Sequence, residues 1–96
     1  MLEKDLEKKV AKYSSLTQKA LKKIRLSKGL SVQQKCIAED FLSMAQNYFA
    51  DANYFLEKKD LLTALAAFSY SHAWLDAGVR ARLFHAKDSR LFTLPE

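Results

Sequence analysis

The amino-acid sequence predicts an all-α protein, a three-helix bundle with long antiparallel helices and a short C-terminal tail. Two observations support this fold class. Only two glycines and one proline occur among the 96 residues, and these are the residues that most often interrupt helices. Apolar side chains also recur three and four residues apart in three successive segments, which places them on one face of a helix. We therefore expect a single domain over residues 1–96, with few loops.

The first helix is predicted over about residues 2–26. Its apolar side chains alternate four and three residues apart and form a seam that faces the core. The seam consists of Leu6, Val10, Tyr13, Thr17, Ala20 and Ile24. Ser27, Lys28 and Gly29 then signal the end of the helix, because glycine adopts the left-handed conformation that closes a helix without a steric clash.

The second helix is predicted over about residues 32–58, and its start is well defined. Ser31 is followed three residues later by Gln34, a pair in which each side chain accepts a hydrogen bond from a free backbone N–H of the first turn. Asp60 has the side chain of an N-cap and precedes a new apolar period. The connection to the third helix is therefore very short, so these two helices must run antiparallel.

The third helix is predicted over about residues 61–85 and is apolar nearly all round. A helix of this kind is buried on more than one side. Tyr70 and Trp74 lie near Gly78 and several alanines, where another helix can approach closely. This predicted interaction surface either packs against helix 1 or forms the interface of a homodimer.

The remaining residues, 86–96, form the predicted tail. It begins with charged residues and continues with Leu91, Phe92 and Leu94 before Pro95. Because apolar side chains gain free energy when they leave water, these residues predict that the tail docks on the helices.

The formal charge of +5 is concentrated in helix 1. Residues 1–30 hold nine lysines and arginines against three acidic residues, a charge of +6. Five lysines fall near one helical stripe, namely Lys4, Lys8, Lys12, Lys19 and Lys23. The simplest interpretation of this basic face is a solvated outer face, with Glu3 and Glu7 placed to pair at helical spacing. Alternatively, it contacts nucleic-acid phosphates or another anionic surface without sequence specificity.

Four polar residues of helices 2 and 3 are predicted to form an interhelical polar layer. If partners are numbered symmetrically about the turn before helix 3, Asp51 lies level with Ser69 and Tyr48 lies level with His72. Buried donors and acceptors are costly unless they are paired. Hydrogen bonds within these two pairs would therefore fix the register of the helices.

The same region contains the residue types of a hydrolase or a metal site, but not their arrangement. Ser69, His72 and Asp76 match a nucleophile, a base and an orienting acid in name. Residues in the middle of a helix lack the exposed turn and the oxyanion donors that this chemistry needs. Asp51 is about 10 Å from Asp76 along the bundle by helical rise, too far to share a metal ion. We predict no catalytic residue, no metal site and no cofactor.

A set of aromatic, acidic and small residues marks the second and third helices. It comprises Tyr48, Asp51, Ala52, Phe55, Asp60, Ala64, Ala67, Tyr70, Trp74, Leu75, Asp76 and Ala77. This pattern resembles the archaeal domain of unknown function 357 family. The resemblance implies a small helical bundle of archaeal, cytoplasmic origin, and it brings no activity, cofactor or catalytic residue with it. The hairpin also looks loosely like one tetratricopeptide-type unit, although a solenoid needs several stacked units.

The leading functional prediction is a non-enzymatic interaction or scaffold domain that associates with itself through helix 3 or the tail, where apolar surface is in excess. The alternative is an accessory nucleic-acid-binding protein that uses the basic face of helix 1. An enzyme is the third hypothesis, and it requires Ser69, His72 and Asp51 to line an open cleft. Neither a secretory signal nor an apolar run of about 18 residues is visible, so we expect a cytoplasmic protein without a membrane segment.

Overall fold

The computed structural model describes residues 2–92. These residues form three helices, α1 (Leu2–Lys23), α2 (Val32–Glu57) and α3 (Leu61–Arg80), and two short strands, β1 (Arg25–Leu26) and β2 (Phe84–His85). The predicted all-α class and helical bundle are confirmed. The predicted ends of helices 1 and 3 are wrong by three and five residues, because the chain turns into the two strands there. Within residues 2–92, no helix is both long enough and apolar enough to cross a membrane.

Both predicted helix starts are formed by their capping residues. The Gln34 N–H donates to Ser31 Oγ over 3.1 Å, and the Ser31 N–H donates to Gln34 Oε1 over 2.9 Å. The Thr63 N–H donates to Asp60 Oδ1 over 3.3 Å. Each bond satisfies a backbone donor that has no partner within its own helix. Lys59 completes the turn between α2 and α3 in the left-handed conformation, with a φ of 61°.

The central helix is α3, which packs extensively against both other helices, whereas α1 and α2 meet at few points. The fully buried residues of α2 are Ala38, Ala45 and Ala52, which are spaced seven residues apart. Larger side chains enter the core from α3, where Phe68 and Leu75 are also fully buried. Small residues on one helix and large ones on the other let α2 and α3 pack closely.

The end of α3 is a backbone turn that neither glycine nor proline signals. Arg82 is left-handed, with a φ of 62°, and the N–H of Leu83 donates to the carbonyl of Gly78 over 2.9 Å. A bond of this span, next to a left-handed residue, satisfies a carbonyl of the last helical turn. The chain then runs back as β2 and pairs antiparallel with β1.

The C-terminal segment, residues 86–92, packs against α1 and α3. Leu91 and Phe92 are buried, as predicted for a docked tail, and they belong to the same apolar cluster as Ile24 and Val79. Leu94 and Pro95, which the docking prediction also involved, lie outside the described residues. The segment thus runs back alongside α1 and α3, where the Leu91 carbonyl reaches His72 in the middle of α3.

Candidate functional site

The aromatic contacts between α2 and α3 define the register of the hairpin. The ring centroids of Phe41 and Trp74 are 5.0 Å apart, and those of Phe49 and Phe68 are 5.6 Å apart. Tyr48 stacks on Tyr70, with 5.3 Å between centroids. Tyr48 therefore faces a residue two positions earlier in α3 than predicted, because α2 ends at Glu57 and the turn is centred on residue 59.

This register removes both pairs of the predicted polar layer. Tyr48 meets Tyr70 instead of His72. Asp51 and Ser69 are exposed, and Ser69 Oγ donates to the Leu65 carbonyl of its own helix over 2.9 Å. Exposed side chains can bond to water, so the free-energy penalty that was expected to force these residues together does not apply. The prediction of Asp51–Ser69 and Tyr48–His72 pairs is wrong.

His72 instead joins α3 to α1 and to the C-terminal segment. Its Nδ1 lies 3.3 Å from the hydroxyl oxygen of Thr17, a side chain that is fully buried. Its Nε2 bonds to the backbone carbonyl of Leu91. Because a carbonyl only accepts, Nε2 carries a proton, and Nδ1 faces the Thr17 hydroxyl. We call these three residues the His72 junction.

The His72 junction does not have the geometry of a catalytic centre. Both ring nitrogens of His72 are occupied by structural partners, and Ser69 is engaged by the backbone on the exposed side of α3. Asp76 Oδ2 lies 3.8 Å from His72 Nε2, one helical turn away. The arrangement therefore supports the packing of three segments, which is what hydrogen-bonded side chains at a buried junction usually do.

A second buried hydrogen bond links α3 to α2. Ser71 is fully buried, and its Oγ donates to the backbone carbonyl of Ala45 over 2.6 Å. Neither Ser71 nor Thr17 was predicted to take part in a polar contact. The burial of Ser71 could have been predicted from its position, since it shares a helix face with Phe68 and Leu75.

Tyr70, Trp74 and Gly78, the residues of the predicted interaction surface, do not share one exposed surface. Tyr70 is 60% exposed. Trp74 packs edge-on against Phe41 of α2, and Gly78 is buried beneath the ring of Phe84. The exposed side of α3 is instead lined by five apolar residues, which we call the α3 face. It consists of Leu62, Ala66, Tyr70, Ala73 and Ala77.

The basic face of α1 is exposed along its whole length. Its members are Lys4, Lys8, Lys12, Lys19 and Lys23. Lys23 Nζ approaches Asp88 Oδ2 of the C-terminal segment within 3.4 Å. The binding role that the sequence suggested for this face stays a prediction.

Asp88 holds two cationic residues at the end of the bundle. The backbone N–H of Arg90 donates to Asp88 Oδ1 over 2.9 Å, and Arg90 Nε lies 3.3 Å from the same oxygen. Hydrogen bonds from the Arg90 side chain and backbone, with a further one from Lys23, lower the pKa of Asp88 below its ordinary value. The carboxylate is therefore stabilised in its charged form.

Stability should fall in acid as Asp88 takes up a proton. A carboxyl whose pKa is lower in the folded state contributes stability above its unfolded-state pKa and loses it as the pH falls through the folded-state value. We expect Asp88→Asn to melt below the wild type near neutral pH, with the gap closing as the pH falls below about 4. Thermal melts followed by circular dichroism measure the gap, and Asp51→Asn is the control. A gap that does not change with pH would contradict the expectation.

Comparisons with known proteins agree with the pattern of the second and third helices. The sequence model of a family described as "Protein of unknown function (DUF357)" matches residues 12–84. The crystal structure of protein AF1782 from Archaeoglobus fulgidus, also of DUF357, is similar in fold, with a TM-score of 0.73 and 26% sequence identity. That similarity covers 91% of this chain and 100% of the other. No curated protein matches the chain. With more than half of its length matched, the chain belongs to the DUF357 family.

Proposed function

We propose that this chain is a small, non-enzymatic interaction domain that associates with a second copy of itself through the α3 face. The observation that carries the proposal is the composition of α3, which has no lysine, arginine, aspartate or glutamate between Leu61 and Leu75. Core packing accounts for one side of such a helix, but the α3 face lies on the other side, in solvent.

The α3 face is long and its larger residues are well exposed. Leu62 is 70% exposed and Tyr70 is 60% exposed. From Leu62 to Ala77 the face extends about 22 Å along the helix axis. Monomeric proteins seldom leave a continuous apolar surface of this kind in water, and such surfaces commonly mark interaction sites.

Charge complementarity favours a second copy as the occupant. Asp60 caps the N-terminal end of α3, and Arg80 is its last residue. If two copies pack their α3 helices antiparallel about a twofold axis near Tyr70, Asp60 of each protomer lies level with Arg80 of the other along the helix pair. A twofold interface repeats each contact, so this pairing forms at both ends. The alanines between them permit close approach of the two helices.

We propose a non-enzymatic domain because the buried polar side chains are engaged in hydrogen bonds between the helices. His72 and Thr17 bond to each other, and Ser71 bonds to the α2 backbone. These groups serve the packing of the helices. The α3 face itself offers a hydroxyl from Tyr70 and otherwise hydrocarbon, which suits association by burial of apolar area.

Sedimentation velocity tests the proposal. We expect the wild type to be a dimer at about 100 μM and to dissociate on dilution, because mass action governs association. Tyr70→Glu should sediment as a monomer, since it places two charges at the centre of the interface. Tyr54→Glu is the matched control, because Tyr54 is 56% exposed on α2 and lies on the side of that helix away from its buried alanines.

Two results would count against the α3 face. The first is a wild type that stays monomeric at about 100 μM. The second is an equal loss of association in Tyr70→Glu and Tyr54→Glu, which would point to a surface other than α3. Thermal melts of both variants establish that any loss of association does not arise from unfolding.

A further inference from the structure

One end of the bundle concentrates positive charge around a cleft, which we call the basic end. The cleft has a volume of about 390 Å³ and is formed by the last turn of α1, by β1, and by β2 with the loop after it. Phe92 and Ala86 contribute its apolar part. Its ionisable residues are Lys22, Lys23, Arg25, His85, Lys87 and Asp88.

A neighbouring depression extends the positive surface. It has a volume of about 490 Å³, shares Lys23 and Asp88 with the cleft, and adds Lys19 and Arg90. Among the described residues, Asp88 is the single acidic one in the two linings. Because Asp88 is engaged by Lys23 and Arg90, no carboxylate within residues 2–92 forms an ion pair with Lys22 or the other cations of the cleft.

Stabilisation of α1 explains part of this cluster. Arg25 Nη1 donates to the carbonyls of Lys22 and Ile24 over 3.0 and 2.7 Å, and cations near a helix C-terminus interact favourably with its partial negative charge. That explanation covers residues 22–25. It does not cover His85, Lys87 and the residues after them, which the β1–β2 pairing brings to the same end from the other end of the chain. Since like charges repel, their convergence favours an anionic occupant.

We infer that the basic end binds the phosphodiester backbone of double-stranded nucleic acid without reading its sequence. The cations project into solvent, with 60% of the Lys23 side chain and 88% of the Arg90 side chain exposed. Exposed, flexible cations bind a long polyanion through the sum of many weak contacts. A small phosphate ligand would instead need a convergent and preorganised cradle of donors.

The aromatic residue of the cleft favours a duplex over a single strand. Unpaired bases are commonly held by stacking on exposed aromatic rings. Phe92 is only 4% exposed and its ring lies 6.3 Å from that of His72, so it belongs to the core. Phosphates are then the groups that the basic end can recognise, and a duplex presents them on its outside without the need to accommodate bases.

The rest of the α1 basic face provides a matched control. Lys22 and Lys87 line the cleft from α1 and from the loop after β2, and both are exposed. Lys4 and Lys8 are also exposed but lie more than about 20 Å from Lys22 along the axis of α1. The variants K22Q/K87Q and K4Q/K8Q therefore remove the same charge from different places.

Fluorescence anisotropy with a labelled 20-base-pair duplex tests the inference. We expect a micromolar dissociation constant at about 50 mM KCl, and a log–log salt slope near −4, as for four or five phosphate contacts. K22Q/K87Q should bind about tenfold more weakly and reduce the slope by about 2. K4Q/K8Q should stay within about twofold of the wild type.

Several outcomes would overturn the inference. They are no binding at about 50 mM KCl, an equal loss in K22Q/K87Q and K4Q/K8Q, and tighter binding of a single-stranded oligonucleotide of the same length. Displacement of the duplex by inorganic phosphate at constant ionic strength would also overturn it, because it would identify a discrete phosphate pocket. Duplex binding that persists under inorganic phosphate and responds only to K22Q/K87Q supports it.

Discussion

Gly78→Ala is expected to destabilise the protein by about 2 kcal/mol, although alanine is the better helix former. A Cβ atom at position 78 would lie 2.2 Å from Cδ2 and 2.3 Å from Cε2 of Phe84. Phe84 is 2% exposed, so its ring cannot move without leaving the core. The overpacking should therefore outweigh the gain of about 1 kcal/mol in helix propensity.

Repeating Gly78→Ala in a Phe84→Ala variant tests whether the ring of Phe84 causes the destabilisation. Phe84→Ala alone should cost about 3–5 kcal/mol. In that background the clash with the ring is removed, so Gly78→Ala should become stabilising by about 1 kcal/mol. Urea unfolding of the four proteins gives the free energies. If Gly78→Ala has the same effect with and without the ring, the contact with Phe84 is not what requires glycine here.

His72→Leu is expected to lower the free energy of unfolding by about 3 kcal/mol. Leucine fills much of the same space but bonds to neither partner of the His72 junction. The Thr17 hydroxyl, which is fully buried, and the Leu91 carbonyl would both lose a hydrogen bond. A buried polar group without a partner costs about 1–3 kcal/mol.

Removing the second partner should recover part of this loss. Thr17→Val deletes the hydroxyl that His72→Leu leaves without a partner. The double variant His72→Leu/Thr17→Val should therefore be more stable, by at least about 1 kcal/mol in the free energy of unfolding, than the sum of the two single effects predicts. Chemical denaturation measures this coupling. His85→Leu is the control at the other, exposed histidine, and it should change stability by less than about 0.5 kcal/mol. Strict additivity would show that the two side chains do not depend on each other.

The helices and their starts could be predicted because their signals are local. The capping box of Ser31 and Gln34, and the Asp60 cap, each involve residues within one turn. The polar contacts could not be predicted in the same way. A shift of two residues in register was enough to replace the expected Tyr48–His72 pair with the Tyr48–Tyr70 stack, and periodicity does not define register that finely.

The basic end could not be predicted from the sequence, for a related reason. Arg25 and His85 are neighbours through a pair of two-residue strands, which are too short to give an alternating pattern. Both fall within stretches where the helical period predicted continued helices. The lysines of α1 were visible as a stripe, but their meeting with Lys87 depends on the folded chain.

The alanines of α2 set a limit on how the protein can change. Ala38, Ala45 and Ala52 bring a nearly bare backbone against α3, and the short bond from Ser71 to the Ala45 carbonyl depends on that proximity. Most cores are vulnerable to loss of bulk. The alanines of α2 have little side-chain volume to remove, and any larger side chain at these positions would push α2 and α3 apart. Substitution is therefore constrained along α2 by an upper size limit at every seventh residue.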